Sequence, residues 1–220
     1  MKLKWITMTA AAAIIFSAQC AHAGGLAVGV KASTLGAGVE LTTNVVPLLM
    51  NLRLQVNDLN YNRSINTTQV TYNGKLKLFS VGAIADFYPF AGKFRVSGGL
   101  YYNGNKFDIT GRPSAANTFV FNGVSYTGTQ VGNVNGTINF NKIAPYVGIG
   151  WGDAISSGSP LGFSFEVGAL YQGKARTSIT TSRTVAGLNA NIAAEKKRLD
   201  NSLNNFRFYP VVALGLNWRF

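Results

Sequence analysis

Cysteine and histidine occur once each in the 220 residues, as Cys20 and His22. Both fall in the first 23 residues, which read as a removable leader. The remaining 197 residues therefore offer no thiol nucleophile, no disulfide, no zinc site built on Cys or His and no triad with an imidazole base. Charge is sparse too. Asp, Glu, Lys and Arg together make 13 % of the chain, about half the roughly 25 % of soluble domains. Acids are scarcest, 8 against 20 Lys and Arg, for a net charge of +12. Beyond the leader no stretch approaches the roughly 18 apolar residues of a membrane-spanning helix. Proline is rare at 6, while glycine is abundant at 25.

The leader has a defined order. Lys2 and Lys4 are followed by the apolar run 5–18 and by Ala21-His22-Ala23 before Gly24. This is the pattern of a cleaved secretory signal peptide over residues 1–23. The run is too short for an anchor, which needs about 20 residues. The bulky Gln19 before Cys20 speaks against lipidation. Residues 24–220 are then the exported chain. In that setting a basic balance points to outer-membrane lipid and lipopolysaccharide as partners rather than nucleic acid.

Along the exported chain the hydrophobic period is two. Segments 26–32, 36–45, 51–64, 74–88, 93–109, 138–151, 161–173 and 206–220 each carry an apolar face, with aromatics toward the segment ends. The other face carries Gly, Ser, Asn and isolated charges. In 51–64 the phase slips after Val56, because Leu59 and Tyr61 are odd-numbered; a bulge near Asn57-Asp58 is the expected cause. This dyad pattern predicts an all-β chain, an eight-stranded antiparallel transmembrane β-barrel, apolar to lipid and polar to the lumen. Eight strands close the sheet, which lipid demands of any spanning sheet. A soluble β-sandwich or lipocalin-like barrel also alternates, but fits the low charge density less well.

Short turns are expected at Val46-Pro47-Leu48, Phe90-Ala91-Gly92 and 153–160, on the periplasmic side. The longer connections, 65–73, 110–137 and 174–205, then face outside. Segment 110–137 reads as a mobile loop that can hold a small hairpin. The hairpin at Ser33-Thr34-Leu35 is unusually tight for that side. The period changes once, at 188–204, where Leu188, Ile192, Leu199 and Leu203 recur at helical spacing. One short amphipathic helix is expected in this last long connection, lying on headgroups or capping the mouth. Its cluster Lys196, Lys197 and Arg198 is a candidate headgroup contact.

By parity Lys31, Glu40, Arg53, Asp86, Arg95, Glu166 and Arg207 face the lumen, with Arg219 near the periplasmic rim. About eight strands leave just enough room for side chains to fill the interior. Unpaired charge there is costly, so these residues are expected to pair as a plug, centred on Glu40, Arg53, Asp86, Arg95 and Glu166. The alternative is a narrow or gated channel for small solutes, anion-preferring because bases outnumber acids. Asp58 and Asp153, near turns, read as solvated. No catalytic, cofactor or metal residue is expected.

The last residues, Ala213 to Phe220, end in an aromatic, with Trp218 two before it and Gly215 five before it. This resembles the assembly signal of outer-membrane barrels, and the closing strand of the OmpA/opacity-like eight-stranded proteins of proteobacteria. The runs Pro145–Gly152 and Asp86–Phe90 with Phe94–Leu100 resemble strands of the same family. The resemblance implies a non-enzymatic outer-membrane barrel handled by the barrel assembly machinery. Its role would be structural or surface-interacting, with loops open to a host or surface ligand. The peptidoglycan-binding domain of longer relatives is not expected here, so no wall-anchoring role is implied.

Overall fold

The computed structural model describes residues 25–66, 70–113, 118–155 and 159–220. The leader 1–23 lies outside them. The chain runs through β1 (Leu26–Ser33), β2 (Gly36–Val46), β3 (Met50–Asn66), β4 (Val70–Phe87), β5 (Phe94–Asn103), β6 (Lys106–Pro113), β7 (Thr118–Phe121) and β8 (Val124–Thr127). A short helix α1 (Gly128–Val131) comes next, then β9 (Val134–Asn139), β10 (Ile143–Trp151), β11 (Leu161–Tyr171) and β12 (Arg176–Thr181). Helix α2 (Leu188–Ser202) runs into a 3-10 turn, Leu203–Asn205, before the last strand, β13 (Phe208–Arg219).

Eight of these strands form a closed antiparallel ring, in the order β1-β2-β3-β4-β5-β10-β11-β13 and back to β1. Closure leaves no backbone edge to lipid. The outward residues of this ring are apolar and exposed: Val28 and Val30, Leu52 and Leu54, Val147 and Ile149, Leu214 and Leu216. Aromatics mark both ends of the belt. Phe87, Phe90, Trp151, Trp218 and Phe220 stand at the short-turn end, and Tyr102, Tyr171 and Phe208 at the other. An apolar band between two aromatic girdles is the exterior of a bilayer-spanning barrel.

Part of the sheet does not stop at the belt. β3 and β4 stay paired without interruption from Met50↔Phe87 to Asn66↔Thr71. β6 continues β5 along β4, β9 pairs with β6, and β12 pairs with β9. The result is a five-stranded wall on the outer side, over one part of the mouth only. At the step from β5 to β6 the chain bulges, and the N–H of Gly104 and the side chain of Asn105 satisfy both backbone groups of Phe79. On the opposite side the Ser33–Gly36 hairpin ends at the rim, so its tightness is real.

The register corrects one expectation. There is no bulge at Asn57-Asp58; the irregularity in this region lies between Asn44 and Val46. The phase slip instead marks the exit from lipid. Below Asn57 the apolar residues of β3 point outward, to acyl chains. Above it the outward face meets water, and Leu59 and Tyr61 lie on the inner face of the wall. β4 inverts at the matching height, from outward Val81 and Phe79 to inward Leu78 and Leu76. On β4 the inversion follows burial of apolar area away from water, acting with opposite sign on the two sides of the interface, since Leu78 is buried; Leu59 and Tyr61 share its face but stay exposed.

That inner face is covered only in part: Leu78 is buried, while Leu59, Tyr61, Phe107 and Ile109 stay exposed. Segment 110–137, expected as a mobile loop, is built in its described part: the β7–β8 hairpin and α1 lie against the β9 and β12 side of the wall, and α2 joins them. Phe121, Tyr126, Val131 and Leu188 are buried together, with Phe119, Val134, Ile179, Val185 and Ile192 packed around them. This is a small core of its own, above the bilayer. Helix α2 begins at Leu188 as expected and turns Leu188, Ile192 and Leu199 inward, with Leu203 half-buried in the 3-10 turn that follows.

Candidate functional site in the barrel lumen

The interior of the ring is filled in layers. In the middle layer Lys31, Arg53 and Arg95 face Glu40, Asp86 and Glu166, all six buried. Arg53 touches all three acids, at 3.4 Å from Glu40, 3.0 Å from Asp86 and 2.6 Å from Glu166. Lys31 pairs with Glu40 at 3.0 Å, and Arg95 with Glu166 at 2.7 Å. Three cations balance three anions, so the layer is formally neutral.

Polar neighbours complete it. Ser97 donates to Asp86 at 2.6 Å and Tyr146 to Glu166 at 2.6 Å. Gln55 accepts from Lys31, and the Gly152 carbonyl accepts from Arg95. Each carboxylate thus receives two or more donors, the condition under which buried charge is tolerated.

Toward the outer mouth lies an apolar layer of Leu35, Ile84, Tyr101, Ala144, Tyr146, Leu170 and Val211. The Tyr101 and Tyr146 rings meet edge to face, 5.4 Å apart. Room for them comes from glycine on neighbouring strands: a Cβ at Gly82 would sit 2.7 Å from the Tyr101 ring. Toward the periplasm the turn after β10 folds inward. Asp153 accepts from Asn51 at 3.2 Å and from the Ile155 N–H, and Asn51 also donates to Tyr88. Ala27, Ala154 and Ile155 pack beside them.

Parity therefore brings six of the seven predicted lumen charges together. Arg207 stands apart. It is half-buried at the outer mouth and donates to Asn204 at 2.7 Å, because β13 begins at Phe208 and Arg207 still belongs to the preceding turn. Arg219 lies at the periplasmic end, where it donates to the Ile155 carbonyl. With both outside the layer, the expected excess of base over acid in the lumen disappears. Asp153 corrects a second expectation: it is buried and hydrogen-bonded, since its turn lines the lumen. Asp58 is exposed and accepts from Asn60. Tyr101, Tyr146, Gln55, Ser97 and Asn51 complete the interior without having been singled out in the sequence, although inward parity marks each of them.

At the chain end Gly215 faces Ser164 inside, while Trp218 and Phe220 stand outside in the periplasmic girdle. On α2, Lys196 and Lys197 are exposed, and Arg198 pairs with Glu195 at 2.6 Å. Among the described residues no three of His, Cys, Asp and Glu gather as metal ligands.

No family model matches the chain, and no curated protein matches it. Two solved structures from Acinetobacter baumannii are similar. CarO2 aligns at 21 % identity with a TM-score of 0.58, over 89 % of this chain and 98 % of that one. CarO aligns at 24 % identity with a TM-score of 0.57, over 88 % and 97 %. The apolar belt places the ring in a bilayer, and the fold is that of bacterial outer-membrane β-barrel proteins.

Proposed function

We propose that this chain is a sealed, non-enzymatic outer-membrane barrel whose working surface is the outer wall and cap. The observation that carries this reading is the neutral three-by-three charge layer buried beneath the Tyr101–Tyr146 layer. Every charge in that layer is held by a partner of opposite sign, which suits a plug better than a path for ions. The middle layer lacks the surplus of one sign that selective pores use, and the lumen has no excess of base, so the reading of an anion-preferring channel loses its basis. An OmpA-like affiliation belongs with the same proposal: a narrow barrel, filled inside, that anchors a surface structure. The outer part supports the surface role because it has a packed core of its own above the membrane. A partner met there is a surface ligand or lipopolysaccharide.

Liposome swelling tests the proposal. Vesicles holding the folded protein and an impermeant polymer are diluted into small sugars, amino acids or their salts. Swelling no faster than in empty vesicles is expected. Swelling that depends on solute size, and changes with Glu166→Gln, would make the lumen a path and end the plug reading.

A further inference from the structure

We propose that the outer surface of the wall, just above the upper aromatic girdle, binds the phosphorylated glycolipid headgroup of outer-leaflet lipopolysaccharide. This deepens the surface role proposed for the wall and rests on the ring standing in the outer membrane.

Register aligns the cations. Lys77 of β4 is level with Lys106 of β6, Lys106 with Asn139 of β9, and Asn139 with Arg176 of β12. All four point outward, since their neighbours Leu76, Leu78, Phe107, Ile138 and Thr177 face inward. The row therefore sets three cations at one height across four strands. At about 4.8 Å per strand it spans roughly 14 Å. One phosphate cannot reach along it, whereas two phosphates on a sugar backbone can.

The row ends in a concavity. Where β9 gives way to β10, residues Asn139, Phe140, Asn141, Lys142, Ile143 and Arg176 line an open hollow of about 680 Å³. Arg176 donates to Asn141 at 3.3 Å, which holds the guanidinium over the hollow. The Lys142 ammonium lies 5.8 Å from the centre of the Tyr102 ring. Among the described residues neither cation has a carboxylate partner, while Lys106 is held by Asp108 at 3.0 Å.

The hollow is amphipathic along the membrane normal. Below it, Ile143 and Tyr102 are exposed members of the lipid belt. Above it stand the cations and two asparagines. A ligand that fits has acyl chains running down the belt and an anionic, hydroxyl-rich head at the girdle. The side carrying the long connections meets the outer leaflet, which selects lipopolysaccharide over inner-leaflet phospholipid. The α2 cluster of Lys196 and Lys197 lies on the cap, away from this hollow, and is not part of the site.

The test uses the full chain, folded in detergent, and bisphosphorylated lipid A as the probe, with binding followed by native mass spectrometry. Lys142→Gln/Arg176→Gln is expected to bind lipid A at least ten-fold more weakly while keeping the heat-modifiable gel mobility of a folded barrel. Lys142→Gln alone, the milder change, is expected to fall between. Lys196→Gln/Lys197→Gln is expected to bind as the unmodified chain does, and lipid A stripped of phosphate to bind the unmodified chain as weakly as the double variant. Unchanged lipid A affinity in the folded Lys142→Gln chain overturns the site. Equal affinity for phosphatidylglycerol overturns its assignment to lipopolysaccharide. A chain that fails to enter bilayer vesicles at all overturns the membrane placement itself, a separate result.

Discussion

Arg53 touches three carboxylates at once, and among the described residues no other cation in the lumen does. Its removal leaves Glu40, Asp86 and Glu166 facing one another with only Lys31 and Arg95 to balance them. Losing one partner of a buried ion pair costs about 3–5 kcal/mol. Arg53→Ala is therefore expected to lower the stability of the barrel by an amount of that order, seen as a lower urea midpoint in the heat-modifiable gel shift. Gly82 tests the layer above. Gly82→Ala sets a methyl group against the Tyr101 ring, and overpacking of this kind costs about 1–3 kcal/mol. The same gel assay should show a smaller loss than for Arg53→Ala. Alternation alone makes six of the lumen charges legible, because a period of two fixes which face a residue takes. It does not give their heights. Arg207 has the right parity and the wrong height, and Asp153 sits in a turn whose inward fold no local pattern announces.

Among the elements, α2 shows what holds the cap. Leu188 is fully buried among Phe121, Tyr126 and Val131. Leu188→Ala should destabilise the cap by about 2–5 kcal/mol. Hydrogen exchange is then expected to quicken in α2 and the β7–β8 hairpin, while the ring strands stay protected. Glu195 adds a pH dependence. The hydrogen bond from Arg198, aided by the Asn122 N–H, holds its carboxyl below the usual glutamate range despite the cost of burial. A lowered pKa gives stability that is present above the unfolded value, about 4.3, and lost as the pH falls through the folded one. Exchange in α2 should therefore rise on acidification below about pH 4.3, before the ring opens, and Glu195→Gln should flatten that response. The helix is legible in its 3.6 period, and all eight ring strands in their period of two. The wall is not, since a strand that crosses from lipid to water turns its apolar side over. In a one-dimensional pattern that inversion looks the same as a bulge. The register settles it in favour of a continuous strand.

As a whole the molecule is a short lipid-facing cylinder carrying a one-sided outer structure with a core of its own. The ring has apolar residues outside and charges inside, while the wall has charges outside and apolar residues inside. One solvent rule, applied on both sides of the interface, yields both halves. At this scale everything turns on closure of the cylinder. Single-channel recording in planar bilayers probes closure without an intermediary, with the full chain folded and its gel mobility verified beforehand. A sealed cylinder gives a flat baseline in salt at neutral pH, and that is the expected record. Reproducible discrete steps, altered in size by Arg53→Ala or Glu166→Gln, would contradict closure and make the charge layer the lining of a pore.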